Sequence, residues 1–142
     1  MLATLVREPF DRPGWVYEEK YDGCRILAYK EGTRVTLLSR NQTARTSWFG
    51  IVARAVSALT ARTLLLDGEV VAFDRKRVSR FQLPQNLGAE PKYAVFDCLY
   101  VDGRDLRREP LATRCRLLEA VIGESAVQGA IISRPLAWRR TA

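Results

Sequence analysis

The chain contains no histidine. That absence excludes Ser-His and Cys-His nucleophilic catalysis and argues against a zinc site. Cysteine is sparse: Cys24, Cys98 and Cys115 lie far apart with no Cys-x-x-Cys spacing, so they read as small buried or half-buried apolar residues rather than a redox or metal motif. No apolar run is long enough to span a bilayer. The opening residues lack the basic region and apolar stretch of a secretory leader. Together these absences predict a cytoplasmic protein without a membrane partner. A glycine-rich phosphate loop of either common type is also missing. Any chemistry must therefore rest on Lys, Asp, Glu, Ser or Cys.

What is present is a chain of 142 residues, 47% hydrophobic and 27% charged, enough for one globular domain with its own core. The net charge is +7, carried by nineteen arginines and only four lysines. Arginine suits bidentate phosphate contacts, so a nucleic-acid or nucleotide partner is one reading. Codon bias toward arginine is the other, and composition does not separate them.

Hydrophobic periodicity predicts a strand over 15–19, broken by Asp22-Gly23. A strand over 24–30 follows, with Cys24, Ile26 and Ala28 on one face and Arg25, Leu27 and Tyr29 on the other. A turn at 31–33 leads into a returning strand at 34–39. Trp48, Val52, Ala55, Val56 and Leu59 recur at helical spacing, which predicts an amphipathic helix over 48–59 packed on a sheet. A strand over 63–74, interrupted by Asp67-Gly68, precedes a basic turn at 75–80 and an irregular segment at 81–91. Residues 92–103 read as a strand and 104–110 as a charged loop. A second helix begins near Ala112, with Cys115, Leu118 and Ile122 on one face and Leu117 and Val121 beside it. After Gly123 the pattern is lost, apart from one short strand. The order predicts an α+β fold with mostly antiparallel sheet and packed helices.

The stretch "EEKYDGCR" at 18–25 poses the sharpest question. Asp-Gly is a strong hairpin signal, and by itself the stretch reads as a turn with a solvated lysine. Three later segments add weight to a chemical reading. "LLSRN" ends a strand with Arg40. "LLLDGEVVAF" places Glu69 in an apolar run, where an acid needs a partner or a ligand. "YAVFDCLYVDG" places Phe96 and Asp97 in another. Each has a bland version, but their joint order is harder to dismiss.

Lys20-Tyr21-Asp22-Gly23-Cys24-Arg25 resembles the K-x-D-G-x-R signature of nucleotidyltransferases that use a covalent lysine, namely ATP-dependent DNA ligases, RNA ligases and capping enzymes. "SRN", "LLLDGEVVAFD" and "YAVFDCLYVDGRDL" resemble the family's next motifs in order. The likeness is strongest to ATP-dependent DNA ligases of the bacterial end-joining type and covers residues 1–122. The resemblance implies a nucleotidyltransferase (adenylation) fold in which Lys20 attacks the α-phosphorus of ATP. An amine attacks only when unprotonated, which cations such as Arg25 and a bound Mg²⁺ or Mn²⁺ favour. It further implies that Asp22 orients the lysine or a metal-bound water and that Glu18 helps hold the adenine. Arg25 and Arg40 would contact ribose or phosphate, Glu69 would hold the ribose or the metal, and Phe96 would stack on the base. The implied partners are ATP, nicked or broken duplex DNA, and other repair proteins.

Two later motifs of that family, an E-G-hydrophobic-hydrophobic-x-K segment and a K-x-K pair, find no match after residue 122. No residues remain for an oligonucleotide-binding domain. The expected organisation is therefore a truncated adenylation domain over 1–122 and a divergent tail over 123–142, with weak or absent nick sealing. Two rivals remain open: a non-catalytic nucleotide- or DNA-binding remnant, and an RNA ligase or capping-type enzyme.

Overall fold

The computed structural model describes residues 4–18, 20–72, 90–123 and 130–132. Glu19, the expected basic turn at 75–80 and most of the irregular segment and tail lie outside the described residues. Eight elements follow in order: β1 (Cys24–Glu31), β2 (Arg34–Ser39), α1 (Gly50–Ser57), β3 (Thr63–Val71), β4 (Lys92–Val101), β5 (Arg104–Asp105), α2 (Leu111–Ile122) and β6 (Ile131–Ile132). The strands form one sheet in the order β2-β1-β3-β4-β5, and β6 pairs with the other end of β4. Every pairing is antiparallel except the short β4–β6 contact. The mostly antiparallel α+β architecture agrees with the sequence pattern.

The alternation in β1 sorts its residues as expected. Ile26 and Ala28 are fully buried and join Leu37, Leu66, Val70 and Cys98 in one core. Val52 and Val56 of α1 and Leu118 and Ile122 of α2 complete that cluster, as does Ile131 from beyond residue 122. The opposite face of the sheet carries Arg25, Leu27 and Tyr29, with Leu38 opposite Leu27 and Thr36 and Leu65 opposite Tyr29. Toward the far end of this face, Tyr29, Thr36, Leu38, Leu65 and Tyr100 border a groove of about 700 Å³.

Two expectations need correction. Residues 15–18 form no strand. They belong to a loop tied by its own aromatic groups: the Tyr17 hydroxyl donates to the Phe10 carbonyl at 2.7 Å and accepts from the Arg12 N–H, while Phe10 and Trp15 meet edge to face. Local ring packing there replaces sheet pairing. The first helix also starts later than its periodicity suggests, at Gly50. Ala44 still bridges to Leu38, and the Arg45 N–H still donates to Leu37, so the chain stays paired to β2 too long for Trp48 to enter the helix. Trp48 is consequently 61% exposed rather than buried.

The three Asp-Gly pairs have three different roles. Asp102-Gly103 is a hairpin turn between β4 and β5, with both residues at positive φ (43° and 88°), as such a turn requires. Asp67-Gly68 lies within β3 at an irregularity in its pairing with β4, where Phe96 is the extra residue. A Cβ on Gly68 would meet the Ala94 carbonyl at 2.5 Å and the Tyr93 ring at 2.7 Å. The missing side chain lets the fully buried Tyr93 cross β3 and donate its hydroxyl to the Ile26 carbonyl of β1 at 2.9 Å, with the Leu66 carbonyl at 3.2 Å. One ring thus fastens three strands. The thiols are quiet: Cys24, Cys98 and Cys115 are all free, and burial pushes Cys98 up to about 11.

Gly68→Ala should lower stability by about 1–3 kcal/mol or more, as overpacking of a filled core does. Urea denaturation followed by circular dichroism measures it; an unchanged midpoint would show that Tyr93 does not need the gap.

Candidate active site

Asp22-Gly23, the third pair, is not a hairpin turn. Gly23 does not have positive φ, and β1 begins directly after it. Its special feature is proximity. A Cβ there would sit 2.2 Å from the Val70 carbonyl oxygen and 2.9 Å from a Val71 methyl, so only glycine lets the backbone approach β3 this closely. The approach delivers the Gly23 N–H to Glu69 Oε1 at 2.9 Å. The lysine-bearing segment is thereby tied to the middle strand of the sheet.

Glu69 is the centre of charge in this region. Reduced solvation is the main cause that raises its carboxyl above the ordinary value, and Asp22 adds to it. The Gly23 hydrogen bond, Arg25 and Lys20 pull the other way. Lys20, Asp22, Arg25 and Glu69 therefore share one electrostatic neighbourhood, with Lys20 and Asp22 exposed. Arg25 stands directly across the β1–β3 pairing from Glu69. Its guanidinium makes a forked pair with Asp67, Nε to Oδ1 at 2.8 Å and Nη2 to Oδ2 at 2.7 Å, and lies 4.8 Å from the centroid of the Phe96 ring. The fork fixes the guanidinium plane, and the ring adds a cation–π contact.

A second carboxylate group borders Phe96. Asp97 accepts two hydrogen bonds from Arg114 of α2 at 2.8 and 3.1 Å, both side chains being largely buried. Reduced solvation, and then the Asp97 charge, raise the Glu18 carboxyl. Glu18 thus feels the charge of Asp97, the sequence neighbour of Phe96, while Arg25 lies over the Phe96 ring and also acts on Glu69. Arg40 is the exception: it is exposed in the turn after β2, with no contact to this group among the described residues. The groove is also separate, since none of these site residues lines it.

Asp67, Gly23 and Asp97 were not singled out as site residues from sequence. A signal existed for Asp67, which sits two residues before Glu69 and so on the same strand face. Gly23 and Asp97 depend on partners 47 and 17 residues away, Val70 and Arg114 respectively, and no local pattern shows such contacts. For a divalent ion, the carboxylates to consider are Glu69 and Asp22, whose charges act on each other. This suits Mg²⁺, which takes one or two carboxylates and completes its shell with water and substrate phosphate.

The family model for the ATP dependent DNA ligase domain matches residues 1–135. The chain belongs to that family. It is 36% identical over 126 residues to the multifunctional non-homologous end joining protein LigD of Pseudomonas aeruginosa, covering 85% of this chain and 15% of that protein. It is also 36% identical over 129 residues to a probable DNA ligase of Beutenbergia cavernae, covering 83% of this chain and 25% of that protein. Its fold matches the crystal structure of the ligase domain of M. tuberculosis LigD with a TM-score of 0.73 and 30% identity, covering 83% of this chain and 40% of that one. A mycobacterial DNA ligase D complexed with ATP and MES matches with a TM-score of 0.64 and 32% identity, covering 75% of this chain and 36% of that one. The ligase-family chain therefore spans a quarter or less of these two curated relatives. Among its described residues no helix is long and apolar enough to cross a membrane.

The raised Glu69 carboxyl has a consequence for stability. Its folded value lies above its unfolded one, so its contribution is fully present below the unfolded value, near 4.5, and is lost as pH rises through the folded value. Glu69→Gln keeps an oxygen for the Gly23 N–H and removes the charge. The variant should show a smaller fall in stability from pH 4 upward and be no less stable than the parent at pH 7, by urea titrations at several pH values. A steeper fall in the variant would contradict the assignment.

Proposed function

We propose that this chain carries the lysine-adenylating site of an ATP-dependent DNA ligase, within the front part of a nucleotidyltransferase fold assigned to residues 1–122 and followed by a divergent tail. The observation that supports this most directly is the Gly23–Glu69 hydrogen bond, which ties the segment bearing Lys20 to Glu69, across the strand pair from Arg25, whose guanidinium lies over Phe96. In the reaction the Lys20 amine attacks the α-phosphorus of ATP. The N–P bond forms, the P–O bond to pyrophosphate breaks, and the amine proton passes to water. The product is a lysyl-AMP phosphoramidate.

The residues divide the task. Phe96 offers its ring to the adenine, with Glu18 beside it. Arg25, held beside that ring by Asp67, contacts ribose or phosphate, the role the family resemblance implies. Asp22 orients the lysine. Glu69 holds the ribose or, with Asp22, the Mg²⁺ or Mn²⁺, which when bound neutralises charge on the phosphates. Arg40, exposed in the turn after β2, contacts ribose or phosphate only on the strength of the family resemblance.

The adenylate would serve the sealing of nicked or broken duplex DNA in repair and recombination in the cytoplasm, alongside other repair proteins. Nucleotidyl transfer depends mainly on positioning and charge stabilisation. Loss of one preorganised donor costs on the order of 10² to 10³ in rate.

Incubation with α-³²P-ATP and Mg²⁺ or Mn²⁺ should label the protein covalently, and Lys20→Ala should abolish the label. A folded parent protein that gains no label, or a Lys20→Ala variant that labels equally, sinks the proposal. ATP binding without label would favour the non-catalytic remnant, and preference for GTP would favour a capping-type enzyme.

A further inference from the structure

Residues 32–66 contain Arg34, Arg40, Arg45, Arg54 and Arg62 and not one Asp, Glu or Lys. Five of the seven net positive charges fall in this stretch, which folds into β2, α1, the start of β3 and their connections. Arg34 is engaged with Glu31. Within the connection between β2 and α1, the Arg45 guanidinium lies 4.0 Å from the centroid of the Trp48 ring, while 61% of Trp48 faces solvent.

The pair is held in place by its backbone. The Arg45 N–H donates to the Leu37 carbonyl of β2 at 2.8 Å, and the Arg45 carbonyl accepts from the N–H groups of Trp48 and Phe49 at 3.0 and 3.2 Å. Phe49 is buried and anchors the turn. The Thr46 hydroxyl accepts from the Leu37 N–H. Trp48 is thus an indole fixed at the surface, not one awaiting a place in the core. Arg45 also lies near the start of β1, since its charge acts on the Cys24 thiol. That end of the strand adjoins Gly23 and Glu69.

We propose that Arg45 and Trp48 form a platform for an unpaired DNA strand, with a base stacked on the indole and the adjoining phosphate held by the guanidinium. This rests on the ligase reading and adds a partner surface beside its site. A duplex hides its base faces, whereas an unpaired strand presents them to any aromatic surface, independent of sequence. The arginine fork matches phosphate oxygens, and the absence of Asp and Glu from residues 32–66 favours attraction of a polyanion.

Fluorescence anisotropy with a labelled oligothymidine of roughly twelve nucleotides tests the proposal. Trp48→Ala should weaken binding about five- to a hundredfold and leave the salt slope unchanged. Arg45→Gln should weaken binding and reduce the slope of log K against log salt by about 0.7. Arg108→Gln, which removes an exposed arginine beyond β5, should have little effect. The platform is ruled out if both site variants, folded by circular dichroism, bind like the parent, if the parent fails to bind the oligonucleotide, or if it prefers blunt duplex. Covalent labelling by α-³²P-ATP in the same preparation separately reports whether the adenylation reading holds.

Discussion

The arrangement depends on one close approach, the backbone of Gly23 against the Val70 carbonyl. No side chain fits between them. That contact brings the segment before β1 down onto β3, sets the Gly23 N–H on Glu69, and starts β1 in the register that faces Arg25 with Glu69. From that register follow the Arg25–Asp67 fork and the seating of the guanidinium over Phe96. A shift of β1 by one residue would turn Arg25 into the core and Ile26 outward. Folding and site assembly are therefore the same event here, because the pairing that buries Ile26 and Ala28 also aligns the charges on the other face.

The second structural support is Tyr93. Its ring lies in the gap left by Gly68 and its hydroxyl reaches β1. A buried tyrosine hydroxyl without partners would be costly, but here the strand carbonyls satisfy it. The same stretch of β3 thus contributes on both faces. Gly68 admits the ring on the core side, while Asp67 and Glu69 hold the lysine segment and Arg25 on the other.

Strand alternation in 24–30 and 34–39, and the apolar spacing of Val52, Val56, Leu118 and Ile122, were legible in sequence because each depends on local period. Glu69 was legible as an acid that needs a reason for its place in an apolar strand, and Phe96 only through the family resemblance. The roles of the Asp-Gly pairs were not. The dipeptide is identical at 22, 67 and 102, and only contact with distant segments makes one a turn, one a gap for a ring and one a close approach. Trp48 misled for a related reason. Its spacing to Val52 is helical, but hydrogen bonds from 44 and 45 back to β2 delay the helix. Asp97 was noticed as an acid in an apolar strand, but its partner Arg114 lies on a helix whose docking site no local pattern gives.

The uneven placement of arginine also affects how the molecule moves before it touches anything. The segment from β2 to the start of β3 carries five arginines and no acid, so it is a source of local positive potential. A polyanion nearby is attracted to such a segment before contact is made. The end of β1 near Arg45 would then meet a strand early in the encounter, so orientation would be partly selected during diffusion.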